Sequence, residues 1–302
     1  MSQAVPAVSS RAFTAKLGAY VALTKPRIIE LLLVTTVPAM VVAERGLPPV
    51  SLIVATVIGG TLAAGGANAI NMVVDRDIDA LMERTMNRPL VTGAMSPQSA
   101  LVFAIGLEIA AFAWLWATVN LLSAVLAVSA TLFYVFIYTL WLKRTSSQNI
   151  VIGGAAGAAP VLIGWAAVTD DLALAPWLMF AVIFFWTPPH FWALAIKYKD
   201  DYSRADIPML PSVAAAKQVG QQIVAYTVVV VACSLLLAPV ADLGALYIVV
   251  ALVSGVGFLW FSVDVLRNPE PARAIRLFGY SITYLTVLFG AMAADQLVTH
   301  GL

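Results

Sequence analysis

Residues 50–79 read VSLIVATVIGGTLAAGGANAINMVVDRDID. From Gly46 to Val74 there is no charged side chain, and then three aspartates follow within five positions. A run of about 20 apolar residues satisfies its own backbone hydrogen bonds only as a helix when it lies in hydrocarbon. The stretch therefore predicts a membrane-spanning helix over 50–73 that delivers acids to the lipid–water boundary. The rest of the chain repeats the pattern. It has 302 residues, 61% hydrophobic and 11% charged, with a mean hydropathy of +0.92. That leaves too little polar surface for a water-soluble particle, since ordinary globular chains carry roughly 25% charge. The fold class expected is an all-α polytopic membrane protein with nine transmembrane helices, at 28–43, 50–73, 99–118, 121–142, 149–168, 176–196, 219–239, 244–264 and 277–297.

The punctuation supports these cuts: Gly46, Pro48 and Pro49 after the first span, Asp170 and Asp171 after the fifth, Pro239 and Asp242 after the seventh, Pro269 and Pro271 after the eighth. With the N-terminus inside, every Lys and Arg except Arg45 falls on the cytoplasmic side, which orients the chain N-in and C-out. The expected organisation is a cytoplasmic N-terminal tail over 1–27, one transmembrane domain over 28–297 and an extracytoplasmic tail over 298–302. Composition and the short N-terminus point to a bacterial plasma membrane rather than a mitochondrial inner membrane. Carboxylates follow span two and span six, and basic residues close spans four and eight at nearly the same offset. That pattern reads as two four-helix halves plus a ninth helix.

A net charge of +1 without a long basic run excludes nucleic-acid binding. One cysteine, Cys233, excludes an internal disulfide and CxxC redox chemistry, and its apolar surroundings mark it as packing. The chemistry lies in two charged segments. In the first, Asn71, Asp75 and Asp79 stand four apart and share a helix face, while Asp77 points the other way. Such hard oxygen ligands suit Mg²⁺, which keeps positions open for phosphate oxygens. Arg84 and Arg88 follow one turn apart, and guanidinium groups bind phosphate well. A solvated loop of alternating charges is the plain alternative. In the second, Asp200 and Asp201 are flanked by Lys197, Lys199 and Arg204. Helical ion pairs between Asp200 and Arg204 and between Lys197 and Asp201 are the plain reading there. His190, between Pro189 and Phe191, is either a base or iron contact or a hydrogen-bonded structural residue. The aromatic cluster around it serves as an interfacial belt or as a surface for a cation.

The string NMVVDRDIDALMERTMNRPL over 71–90 resembles the NxxxDxxxD motif of the UbiA superfamily of intramembrane prenyltransferases. With LTKPR over 23–27, KRTSSQNIVIGGAAGAAPVLIGW over 143–165 and HFWALAIKYKDDYSRADIPMLP over 190–211, it resembles the branch of that superfamily that farnesylates haem b. The resemblance runs from residue 23 to residue 211. It departs from many members in lacking a second DxxxD, since Asp200 and Asp201 are followed four positions on by Arg204 and Ala205. It implies a UbiA-like bundle that transfers the farnesyl group of farnesyl diphosphate to a vinyl group of haem b, with water completing the product and Mg²⁺ as cofactor. It further implies metal binding by Asn71, Asp75 and Asp79 with Asp200 or Asp201. Diphosphate would be held by Lys25, Arg84, Arg88, Lys143 and Lys197, and His190 would lie on the haem side. A haem A synthase or oxidase assembly proteins are the partner proteins such chemistry suggests. The rival readings are another UbiA-type enzyme with an aromatic or chlorin acceptor, a secondary transporter and a non-catalytic oxidase assembly factor.

Four further expectations can be checked against coordinates. Gly153, Gly154 and Gly157 serve close helix packing. Glu30 pairs with Lys25 or Arg27. Glu108 is either a protonated packing residue or a cavity-lining group. Asp264 and Asp295 sit at helix ends and are solvated.

Overall fold

The computed structural model describes the backbone of residues 10–300 and the side chains of 14–26 and 34–300; the expected pairing of Glu30 lies outside the described side chains. Helices α1 (Ser10–Thr24), α2 (Pro26–Glu44) and α3 (Val50–Val74) open the chain. Next come α4 (Pro97–Thr118), α5 (Leu121–Thr145) and α6 (Asn149–Thr169). Helices α7 (Leu174–Lys197), α8 (Ala216–Val240), α9 (Ala245–Arg267) and α10 (Pro271–His300) complete it. Among the described residues no strand occurs, and the eight helices α3 to α10 are long and apolar enough to cross a membrane. The first expected span coincides with α2, whose described apolar part is Val34–Glu44.

Each span packs on the next in sequence, and α10 closes the bundle by packing on both α2 and α7. Two interior textures result. Between α3 and α4 the contact is built from Ala63, Ala67, Ala100, Ala104 and Ala111, with Gly59 and Gly66 admitting Leu115 and Glu108. Small residues bring helix backbones close where lipid supplies no hydrophobic drive. The second half is filled instead by Trp192, Tyr247, Phe258, Tyr284 and Phe289, all fully buried. A one-turn helix follows α3 (Arg76–Asp79) and a short one follows α7 (Lys199–Arg204), so both carboxylate segments leave their spans in the same way, as two related halves require.

Several expectations change. The stretch read as a tail is helical from Ser10 to Thr24, and Ala19 and Leu23 pack with Ala69, Met72 and Ala104. Asp295 is buried, not solvated: it accepts from the backbone N–H groups of Gly244 (2.5 Å) and Tyr247 (3.2 Å), capping α9 from a neighbouring helix. Those amides are orphan donors at a helix start, and a carboxylate there also faces the positive end of the helix dipole. Asp264 is paired with Arg273 at 2.5 Å. Glu108 receives a hydrogen bond from Thr131 at 3.3 Å and fills the space beside Gly66, so it joins α3, α4 and α5. Gly153 and Gly154 do admit neighbours, Tyr138 and Thr187, but Gly157 faces open space.

A Cβ on Gly164 would stand 2.7 Å from the Thr36 carbonyl oxygen, where α6 crosses α2, and a backbone atom cannot swing aside. Gly164→Ala is expected to cost about 1–3 kcal/mol. Gly157→Ala, with nothing within 4 Å of its Cβ, is expected to be neutral or slightly stabilising. Thermal unfolding in detergent checks the contrast, and equal melting temperatures for the two variants would contradict this packing.

Candidate active site

The first segment begins where α3 ends. Asp75 is the C-terminal cap of α3, its N–H bonded to the Asn71 carbonyl at 2.9 Å, and Asp79 N–H bonds to the Asp75 carbonyl at 2.8 Å. The four-residue spacing is thus realised as two successive helical turns. Asn71, Asp75 and Asp79 are all buried, whereas Asp77 is exposed and points away to Arg144, with both hydrogen bonds at 2.8 Å. That bidentate contact holds the Asp77 carboxyl down to about 2.

A buried carboxylate needs a counter-charge, because desolvation costs several kcal/mol per ion. Each of the inward acids has one. Lys143 pairs with Asp75 Oδ2, with Arg144 3.8 Å from its other oxygen. Arg88 reaches Asp79 at 2.5 Å. Asn71 links the set: its Nδ2 donates to Asp75 at 2.7 Å and to Thr139 at 3.2 Å, and its Oδ1 accepts from Lys25 Nζ at 2.8 Å. Lys25 sits at the break between α1 and α2 in a left-handed conformation, φ 52° and ψ 61°. That is a strained backbone for a side chain, of the kind found at functional sites. Burial, and then the nearby charges of Arg88 and Lys143, push its ammonium down to about 7. An anion arriving there would hold the proton on.

The second segment supplies one acid to the interior, not two. In Lys199–Arg204, Asp201 is buried while its neighbour Asp200 is exposed. Arg204 pairs with Asp201, three residues back, and not with Asp200 as the four-residue spacing had suggested. The two segments clasp each other. Arg204 reaches Glu83 at 3.4 Å, and the Arg84 guanidinium lies 5.9 Å over the Tyr198 ring and hydrogen-bonds Tyr202. Lys197 also turns to Tyr198, at 5.2 Å from the ring centre. So of the five basic residues expected around an anion, Lys25, Arg88 and Lys143 converge on the buried acids, while Arg84 and Lys197 line the junction between segments.

His190 stands apart from this cluster. Its ring is stacked between Trp186 (4.1 Å) and Phe278 (4.5 Å), and Nδ1 is hydrogen-bonded to Ser281 Oγ at 2.7 Å. Those are the contacts of the structural reading. Sequence reasoning did not single out Thr139, which lies in a wholly apolar run, or the pairing of Arg204 with Asp201, which a three-residue helical spacing could have signalled.

Among the described residues no three Asp, Glu, His or Cys side chains form a ready metal cage. The oxygens nonetheless fit a hard cation that completes its shell with phosphate: Asp75 Oδ1 and Asp201 Oδ2, one from each segment, are buried without a hydrogen-bond partner.

Carboxylates and basic side chains gathered from two related halves, at one end of a closed helical bundle, define an intramembrane prenyltransferase. The chain belongs to the UbiA prenyltransferase family, which matches residues 32–290. It is similar to protoheme IX farnesyltransferase of Streptomyces avermitilis, 54% identical over 292 residues that cover 94% of this chain and 95% of that protein. To the protein of the same name from Mycolicibacterium paratuberculosis it is 55% identical over 283 residues, covering 93% and 91%. The fold is shared with a solved digeranylgeranylglyceryl phosphate synthase, TM-score 0.78 at 16% identity, covering 94% of this chain and 99% of that one. It is also shared with an Archaeoglobus fulgidus UbiA homolog bound to GPP and Mg²⁺, TM-score 0.64 at 16% identity, covering 91% and 99%.

The different burial of the two neighbouring aspartates yields a sharp expectation. Asp201→Asn should lower turnover by about 100-fold or more, and Asp200→Asn by less than about threefold. Steady-state rates on the purified variants decide it; equal losses, or the reverse order, would contradict the geometry.

Proposed function

We propose that the chain transfers the farnesyl group of farnesyl diphosphate to a vinyl group of protoheme IX, with water completing a hydroxyethylfarnesyl product. The observation that supports this most is the gathering of buried Asp75 and Asp79 with Lys25, Arg88 and Lys143 at the end of an apolar bundle, where Arg204 links the segment of buried Asp201 to Glu83 of theirs. Relatives that carry this activity in their names, at more than half identity over nearly the whole chain, supply the acceptor.

Asp75, Asp79 and Asp201, beside the Asn71 carboxamide, are the residues that would hold Mg²⁺. When bound, the ion would neutralise the diphosphate and improve it as a leaving group. Lys25, Arg88 and Lys143 hold the diphosphate oxygens and offset the charge that grows as the allylic C–O bond breaks. Arg84 and Arg204 keep the two segments together across the opening. The electron pair of that bond leaves with the diphosphate, and the vinyl π pair forms the new carbon–carbon bond. Water then adds to the porphyrin-side cation and loses a proton. The apolar interior takes the isoprenoid tail and keeps bulk water away from the allylic cation, which would otherwise be quenched to an alcohol. We place the site on the cytoplasmic face of a bacterial plasma membrane. Arg45, the lone basic residue at the opposite face, pairs there with Asp242 at 2.8 Å.

Purified protein given protoheme IX, farnesyl diphosphate and Mg²⁺ should yield the hydroxyethylfarnesyl adduct by mass spectrometry, stop in excess EDTA and resume when Mg²⁺ is returned. Asp75→Asn and Asp79→Asn should each cut the rate by about 100-fold or more while the protein stays folded. Turnover undiminished in EDTA, or farnesylation of an aromatic acid in place of haem, would overturn the reading. For orientation, alkaline phosphatase fused after residue 300 should be active in a bacterial host, and an inactive phosphatase there with a fluorescent GFP fusion would reverse the topology.

A further inference from the structure

The inward acids are not the only buried groups with hydrogen-bonding capacity left over. Among the described residues, the buried side-chain atoms without a partner include Asp75 Oδ1 and Asp201 Oδ2, and also both polar atoms of Asn149, Oδ1 and Nδ2. Asn149 is fully buried. A carboxamide offers two donor hydrogens and an acceptor oxygen, and burying all of them unpaired gives up their hydration for nothing. Nearly all buried polar groups in native proteins are paired, so a whole amide left open calls for a cause. Asn71 is the contrast. Its Nδ2 is committed to Asp75 and Thr139 and its Oδ1 to Lys25, so the chain already fills that amide.

The place of Asn149 in the fold supplies the cause. It is the first residue of α6, and residues 146–148 join it to the last turn of α5, where Lys143 pairs with Asp75. The join is tight: Ser146 N–H donates to the Leu142 carbonyl at 2.9 Å, and Asn149 N–H to the Ser146 carbonyl at 3.2 Å. So short a connection keeps Asn149 at the level of Lys143, at the end of the bundle that carries the acids. Gly153 follows four residues on, along nearly the same face of α6, and a Cβ there would strike the Tyr138 ring. That ring lies within electrostatic reach of Asp75 and Arg84 in the first segment and of Tyr202 in the second. Asn149 therefore stands on the face of α6 that looks toward both segments, one turn nearer their end of the bundle. The residue before it, Gln148, makes no side-chain cap, so the first amides and the positive dipole end of a 21-residue helix lie beside the open carboxamide.

We propose that Asn149 is a diphosphate-binding residue, its Nδ2 donating to an oxygen of the prenyl diphosphate and its Oδ1 accepting from a water of that anion's hydration shell. The inference rests on the prenyl transfer proposed above and adds a neutral contact from a third element of the chain. An anion of several charges already has Lys25, Arg88 and Lys143 to balance it. A carboxamide grips it further without drawing still more positive charge out of water. Because the amide meets phosphate oxygens both before and after the C–O bond breaks, its contribution is uniform binding, which lowers KM and leaves kcat nearly alone.

The test is Asn149→Leu, which keeps the volume and removes every hydrogen bond, and Asn149→Asp, which keeps the shape but turns the donor into an anion. Calorimetric titration of each purified protein with unreactive farnesyl thiodiphosphate and Mg²⁺ reads binding apart from turnover. Asn149→Leu is expected to weaken that binding by about 10- to 100-fold and to raise KM for farnesyl diphosphate by a like factor. Its kcat, and its KM for protoheme IX, should stay within about threefold of wild type. Asn149→Asp should bind at least as weakly as Asn149→Leu. Without ligand, Asn149→Leu should melt no lower than wild type, because it removes an amide that nothing in the chain satisfies. Titrations that match wild type would overturn the contact, as would a fall in kcat at unchanged KM. If Asn149→Leu melts early, Asn149→Ala takes its place in the titration, and thiodiphosphate affinity equal to wild type would again overturn it. Wild-type protein separates the two proposals: thiodiphosphate binding that depends on Asn149 without farnesyl transfer to haem sinks the function, whereas transfer with Asn149→Leu binding as wild type sinks only the contact.

Discussion

Everything in this bundle depends on bringing negative charge to the edge of hydrocarbon and neutralising it there. A carboxylate withdrawn from water is costly unless paired, and removing one partner of a buried pair leaves the other charge uncompensated. The chain meets this by giving each inward acid a basic partner: Lys143 from α5 for Asp75, Arg88 from the following loop for Asp79, and Arg204 from the same short helix for Asp201. The partner from α5 ties a span to the first acidic segment, and the Arg204–Glu83 contact ties the two segments to each other. Charge balance and tertiary structure are therefore the same set of contacts. The site that results sets acids for a cation beside basic groups for an anion, which is what a metal–diphosphate complex requires.

The bundle around it is shaped by what lipid does not supply. Hydrocarbon exerts no hydrophobic pressure on helices, so contacts come from close approach, shape and a few polar links. In the first half, alanine and glycine let α3 and α4 lie close, and Glu108 spans three helices through Thr131 and the space at Gly66. In the second half, large aromatics fill the interior, with polar ends satisfied: Tyr284 hydroxyl on Ser234 at 2.7 Å and Tyr247 hydroxyl on the Ser234 carbonyl at 2.8 Å. The aromatic-filled second half and the tightly drawn first half together carry the two acidic segments.

Much of this is legible in the sequence, because periodicity and apolar length act locally. The spans, and the shared face of Asn71, Asp75 and Asp79, follow from a helix continuing one turn past Val74. What escapes is decided by distant neighbours. Asp200 and Asp201 are chemically alike, and only the direction in which Lys199–Arg204 leaves α7 turns one inward. Asp295 looks like a solvated helix-end acid until the N-terminus of α9 is placed beside it. The helix over Ser10–Thr24 has a weak amphipathic pattern and gains its place by packing Ala19 and Leu23 on the bundle. The π-helical stretch Phe133–Leu142 within α5 has no signature in an apolar run, since composition does not record which carbonyl an amide will choose.

The central claim is that acids from both segments grip one divalent ion and, through it, one diphosphate. Anomalous diffraction from crystals grown with Mn²⁺ and an unreactive farnesyl thiodiphosphate measures this directly. The account predicts an anomalous peak about 2.1 Å from an Asp75 or Asp79 oxygen, with Asp201 bound to the same diphosphate-bridged metal cluster. A peak on one segment alone, with the diphosphate lying away from Asp201, would contradict it.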